Sequence, residues 1–200
     1  MARAGLPNSF VLGLAGGVGS GKSLVAGLLK KRGGEILDAD VLGHRALDRP
    51  EIVRRLVRAW GPGILREGAV DRAALARAAF QSKTSVQRLN RIVHPAILGE
   101  IRRRLAAARG WTVLDAALLY EVGAEKLCDR VIYVDAPRPL RERRIRSRRW
   151  PAGELVKRER FQWNPAYKKK KADYVIDNTG TPSRTERQLE RILDDLRRNL

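Results

Sequence analysis

An α/β fold built on a five-stranded parallel sheet is predicted from three features of the chain. Short apolar runs alternate with helix-patterned stretches. The strand-like runs are apolar at consecutive positions, as in strands covered on both faces. A glycine-rich turn joins the first run to the first helix.

Phe10 to Leu14 is the first strand, and it ends in a glycine cluster. Lys22 to Arg32 is a helix with Leu24, Val25, Leu28 and Leu29 at helical spacing, stopped by Gly33-Gly34. Glu35 to Asp38 is the second strand, and Ile52 to Trp60 is a basic amphipathic helix closed by Gly61-Pro62-Gly63. Arg72 to Arg91 is helix-rich, and Pro95 suits the first turn of a further helix running to about Ala108. Trp111 to Ala117 and Arg130 to Ala136 are the third and fourth strands. Pro139 to Arg149 and Gly153 to Gln162 are arginine-rich helices, Tyr174 to Ile176 is the fifth strand, and Thr185 to Leu200 is a closing helix. The helical stretch 41–109 is too long for one crossover and is expected to form an insertion beside the sheet.

A chain of 200 residues, 44% hydrophobic, is long enough for one domain with an inserted subdomain. Cys128 is the only cysteine and His44 and His94 the only histidines, which excludes a disulfide framework and Cys- or His-based zinc. No apolar run approaches the roughly 20 residues of a membrane span, and the N-terminus does not read as a signal peptide. A cytoplasmic setting is expected. The net charge of +19 attracts anions, and composition alone does not choose between nucleic acid, acidic lipid and phosphorylated small molecules.

Gly16-Gly17-Val18-Gly19-Ser20-Gly21-Lys22-Ser23 satisfies G-x-x-x-x-G-K-[ST] between a strand and a helix. Glycines let successive N–H groups of Gly17 to Gly21 face phosphate oxygens, and the helix N-terminus adds partial positive charge. Lys22 reaches the β- and γ-phosphates, and Ser23 offers a hydroxyl to Mg²⁺. No Asn-Lys-x-Asp guanine signature is present and the chain is short for a motor, which leaves small kinases.

Such chemistry needs a carboxylate near the acceptor hydroxyl and positive charge over the transferring phosphoryl. Asp38-Ala39-Asp40 lies where the second strand ends, at the edge that the phosphate loop occupies in an open α/β sheet. Asp40 is the better base, while a helix N-cap explains one of the two aspartates equally well. Asp115 ends the third strand and suits either a Mg²⁺ role or a plain turn. Residues 138–171 hold 14 Lys/Arg against 3 acids and read as a basic lid over nucleotide. Lys168 to Lys171 read as solvated surface, and Trp150 and Trp163 as packing anchors rather than base-stacking platforms.

Together these residues resemble the dephospho-CoA kinase family from Phe10 to about Gly180. The similarity is carried by the phosphate loop, Asp38-Ala39-Asp40, Asp71-Arg72-Ala73-Ala74-Leu75, His94-Pro95-Ala96-Ile97, Leu118-Leu119-Tyr120-Glu121, Cys128-Asp129, the spacing Arg144, Arg148, Arg158, Gln162, and Ala172 to Gly180. Ala15 stands where the family usually has Thr, and Ala117 where it usually has Pro. The resemblance implies a P-loop kinase core (10–40, 110–137, 172–200), a helical CoA-binding insertion (41–109) and a helical lid (138–171). It implies transfer of the ATP γ-phosphoryl to the ribose 3′-hydroxyl of dephospho-CoA, with ATP and Mg²⁺ as cofactors. Asp40 would be the base, and Lys22, Arg144 and Arg148 would steady the phosphates. Asn178 would border adenine, and Arg72, His94 and Glu121 the acceptor, although His94-Pro95 is equally a helix start. No specific nucleic-acid or membrane partner is implied, and a monomer or small homo-oligomer is expected.

Overall fold

The computed structural model describes residues 6–147, 153–160 and 162–199. The chain divides into two compact units, Met1–Asp38 with Leu105–Leu200, and Ala39–Arg104. The first unit begins with β1 (Val11–Gly16), α1 (Lys22–Lys31) and β2 (Glu35–Asp38). The second holds α2 (Ala39–Ala46), α3 (Pro50–Trp60), β3 (Leu65–Arg66), β4 (Ala69–Val70), α4 (Arg72–Ala79) and most of α5 (Lys83–Ala107). The chain then returns to the first unit through β5 (Thr112–Asp115), β6 (Arg130–Asp135), α6 (Arg138–Ser147), α7 (Glu154–Glu159) and α8 (Pro165–Lys171), and closes with β7 (Tyr174–Asp177) and α9 (Pro182–Arg198).

The five-stranded sheet has the order β2-β5-β1-β6-β7, and every neighbouring pair is parallel. Its centre is β1, apolar and buried along its whole length because helices cover both faces. Leu12, Leu14, Val25, Leu29, Leu189 and Leu193 pack into one core between sheet and helices. Fully burying one such side chain stabilises the fold by about 1.5–3 kcal/mol.

Carboxylates mark both edges of this sheet. At the N-terminal edge Asp129 accepts a hydrogen bond from Val11 N at 2.7 Å, and Asp173 accepts one from Val131 N at 2.7 Å. Each stitches the start of one strand to its neighbour. At the carboxyl edge β2, β5, β6 and β7 each end on an aspartate, with Asp38 paired in register to Asp115 and Asp135 to Asp177. Only β1 ends on glycine, and that is where the phosphate loop leaves the sheet.

In the second unit Ile52, Leu56, Ile64, Leu75, Ile92 and Val93 form a separate core. The structure corrects three expectations here and in the first unit. The stretch 41–109 is not wholly helical, because β3 and β4 form an antiparallel hairpin whose turn places Glu67 and Gly68 at positive φ. Pro95 does not begin a helix: α5 runs through it. Proline there removes the N–H that would bond the Arg91 carbonyl one turn back, and Arg55 Nη2 donates to that carbonyl instead at 3.4 Å. The lysine run is not wholly solvated. It forms most of α8, and Lys168 is 1% exposed, ion-paired to Glu121 at 2.7 Å and donating to the Ala117 carbonyl at 3.3 Å.

Breaking a buried ion pair strands a charge, whereas an exposed pair contributes little. Lys168→Met is therefore expected to lower the unfolding free energy by about 3–5 kcal/mol in urea titrations. Lys169→Met, which breaks the exposed contact to Asp135, is expected to cost less than about 1 kcal/mol.

Candidate active site

The loop after β1 has to point its amide groups one way, so its carbonyls point the other way and need donors behind them. The donors come from α6 and the segment after β7. Arg141 Nη1 donates to the Val18 carbonyl at 3.1 Å, and Arg144 Nη1 to the Ser20 carbonyl at 2.9 Å. Asn178 Nδ2 donates to the same Ser20 carbonyl at 2.7 Å. Arg144 Nη2 reaches on to the Asn178 carbonyl at 2.8 Å, and Asn178 Oδ1 accepts from the Thr185 hydroxyl at 2.8 Å. The braces are themselves fixed: Arg141 is 6% exposed, donates from Nε to the Ala136 carbonyl at 3.1 Å and is ion-paired to Glu159.

This packing decides the glycine at the head of α1. Gly21 has φ 99°, and a Cβ there would lie 1.9 Å from Asn178 Nδ2. α1 begins with no side-chain cap and no acid in its first turn, which leaves its first N–H groups and its dipole facing outward for an anion. The Ser20 hydroxyl is buried and has no hydrogen-bond partner within the described residues.

Lys22, the first residue of α1, is ion-paired with Asp115 at the end of β5. Burial pushes the Asp115 carboxyl up, the Lys22 ammonium opposes this, and the charge of Asp38 adds to the rise. Ser23 is exposed next to Lys22. The Ser23 hydroxyl and the Asp115 carboxylate are hard oxygens of the kind Mg²⁺ takes together with substrate phosphates. Glu121 is tied down from α8, its Oε1 accepting from Trp163 N at 2.7 Å beside the Lys168 ion pair. Trp163 stacks on Tyr120 with ring centroids 6.4 Å apart.

Asp40, Arg72 and His94 lie in the second unit. Asp40 is in the first turn of α2, where a carboxylate suits the helix dipole, and it is exposed. Arg72 opens α4 behind Asp71, whose carboxylate caps that helix by accepting from Ala73 N at 2.8 Å and Ala74 N at 3.0 Å. His94 lies midway along α5, and burial alone pushes its imidazole below the ordinary 6.5. Arg148 and Trp150 lie outside the described residues.

The sequence reading missed Arg141 and Thr185. Arg141 is one arginine among many, but it sits four residues before the buried Ile145 on the stripe where α6 would otherwise carry an apolar residue. That displacement is the signal that singles it out.

A parallel sheet with a phosphate loop on its central strand and an inserted helical unit defines the class of P-loop kinases acting on small molecules. Shikimate kinase from Acinetobacter baumannii shares this fold, with a TM-score of 0.54 at 17% identity over 95% of this chain and 94% of that one. TT1252 from Thermus thermophilus is nearer, with a TM-score of 0.80 at 34% identity over 94% of this chain and 97% of that one. Within the class, the family model described as CoaE, dephospho-CoA kinase, matches residues 10–183. The dephospho-CoA kinase of Deinococcus radiodurans is 40% identical over 92% of this chain and 91% of its own, and that of Bacillus licheniformis 37% over 93% and 96%. The chain belongs to the dephospho-CoA kinase family.

Two outcomes test this geometry. Gly21→Ala, which puts a Cβ against Asn178 in a left-handed backbone, is expected to lose at least about 1–2 kcal/mol of stability and to abolish measurable ATP binding by calorimetry. Because the folded His94 pKa lies below the unfolded one, its neutral form contributes stability present above pH 6.5 and lost as pH falls through the folded value. His94→Gln is expected to flatten the fall in Tm between pH 7.5 and pH 5.5; an unchanged slope would show that His94 does not carry it.

Proposed function

We propose that this chain transfers the γ-phosphoryl group of ATP to the ribose 3′-hydroxyl of dephospho-CoA, giving CoA and ADP. Family membership along 10–183, with the phosphate loop, Lys22 and Asp40 all present, carries the reading. ATP lays its phosphates on the amides of Gly17 to Ser23 at the open N-terminus of α1. Lys22 exchanges its Asp115 partner for the β- and γ-phosphates and neutralises charge there. Arg144 adds positive charge from behind the loop, Arg148 is assigned to the phosphates by the family resemblance alone, and Asn178 borders adenine.

Asp40 accepts the proton of the attacking hydroxyl, which raises its nucleophilicity as the bond to the γ-phosphorus forms. Arg72, His94 and Glu121 hold the acceptor, with His94 kept neutral by burial. A bound Mg²⁺ spreads the charge of the β- and γ-phosphates, and the Ser23 hydroxyl and Asp115 carboxylate are the groups that would hold it. We place the enzyme in the cytoplasm, as a monomer or small homo-oligomer acting on small molecules. Among the described residues no helix is long and apolar enough to cross a membrane.

The deciding assay is ATP consumption with dephospho-CoA, adenosine, AMP, uridine and pantothenate offered in parallel. Turnover is expected with dephospho-CoA, and none above background with it would sink the proposal. Asp40→Asn is expected to leave ATP affinity nearly unchanged while lowering kcat at least ~10²-fold. Retained activity would assign the base elsewhere.

A further inference from the structure

The second unit contains a concavity that the reaction above leaves without a role. It has a volume of about 300 Å³ and is lined by Arg55, Arg58, Arg88 and Arg91 around a floor of Ala59 and Ile92. Two arginines one turn apart on α3 face two arginines one turn apart on α5, and no carboxylate lines the space. None of the four makes an ion pair among the described residues. Glu51, one turn before Arg55, does not pair with it. The nearby acid of α5, Glu100, is already taken by Arg49, Arg103 and Arg104 at 2.9, 2.6 and 3.0 Å.

Four like charges on adjacent turns repel one another, and no carboxylate lines the space they share. Residues 39–104 carry 14 Lys/Arg against 6 Asp/Glu. Yet two of these side chains are held in place. Arg88 lies over the Trp60 ring, 5.6 Å from its centroid, and Trp60 Nε1 in turn donates to the Ser85 hydroxyl at 3.2 Å. Arg55 caps the Arg91 carbonyl that Pro95 leaves without a donor. All four side chains are exposed, two of them are held by these contacts, and planar guanidinium groups around a space lined by no acid suit the oxygens of a phosphate group bidentately. The volume is at the lower end of ligand pockets, ~300–1,000 Å³, and suits a compact anion.

We propose that this four-arginine concavity is a binding site for a diphosphate-type anion. Two sources carry that chemistry: the diphosphate of a nucleotide-like substrate, and free pyrophosphate. The site needs no turnover to be read, so its fate is separate from that of the kinase proposal.

The experiment titrates inorganic pyrophosphate into the full chain by calorimetry, with the phosphate loop already saturated by the non-hydrolysable analogue AMP-PNP. One equivalent is expected to bind, more weakly as salt rises. In Arg58→Gln/Arg91→Gln, two exposed side chains without ion pairs, affinity is expected to fall at least about tenfold with Tm unchanged. Arg88→Gln provides an independent second variant with the same expected direction. If KM for dephospho-CoA rises in the double variant at constant kcat, the acceptor's diphosphate is the source; if KM is unchanged, a free anion is. Absence of pyrophosphate binding with the loop filled, equal binding by wild type and variants, or an oligonucleotide binding these arginines more tightly than pyrophosphate would each overturn the proposal.

Discussion

A phosphate-binding loop is a backbone device, and its cost falls on the carbonyls it turns away from the ligand. In this chain those carbonyls decide the surroundings of the site. Ser20 O receives Arg144 and Asn178 together, and Val18 O receives Arg141. An unpaired buried carbonyl costs about 1–3 kcal/mol, so the loop holds its shape only while these donors stay in place. The donors belong to α6 and to the segment after β7, remote in sequence from the loop. The arginines closest to it thus act first on the protein's own backbone. Gly21 follows from the same packing, since the Asn178 amide occupies the space a side chain would need.

The sheet distributes its carboxylates to complement that loop. Asp129 and Asp173 sit at the N-terminal edge as stitches between strands, away from any chemistry. Asp38 and Asp115 end adjacent strands at the carboxyl edge, and Lys22 is held against the second of them. That ion pair gives Lys22 a definite resting position, and phosphate oxygens offer it an equivalent partner. A buried, raised Asp115 beside Asp38 is a place where added positive charge is welcome.

Much of this was legible in the sequence. The strand order of events, the phosphate loop and Asp38-Ala39-Asp40 follow from apolar runs and local motifs, which depend on neighbours in the chain. What was not legible depends on neighbours in space. Arg141 and Lys168 look like members of solvated basic runs, and only tertiary packing buries them against Glu159 and Glu121. Pro95 reads as a helix start until Arg55 is seen to satisfy the carbonyl it leaves open. Several residues of the family resemblance have local structural work: Asp71 caps α4, and the Cys128 thiol packs where a Cβ on Gly13 would come within 2.9 Å. The net charge also resolves by location. Residues 138–171 carry 14 Lys/Arg against 3 acids and residues 39–104 carry 14 against 6, which leaves the rest of the chain with 13 of each sign. The strands and their flanking helices are electroneutral, and the whole excess lies in these two segments.

The central claim is that the loop binds nucleotide because side chains behind it hold its carbonyls. Asn178→Ala tests this most directly, because it removes a donor to Ser20 O while leaving every residue of the loop and Lys22 unchanged. Calorimetric titration of ATP into the variant, with native near-ultraviolet circular dichroism as the control for folding, gives the readout. The account predicts ATP affinity weakened by about tenfold or more, the equivalent of one buried hydrogen bond of about 1.4 kcal/mol. A natively folded variant that binds ATP as tightly as the wild type would contradict it.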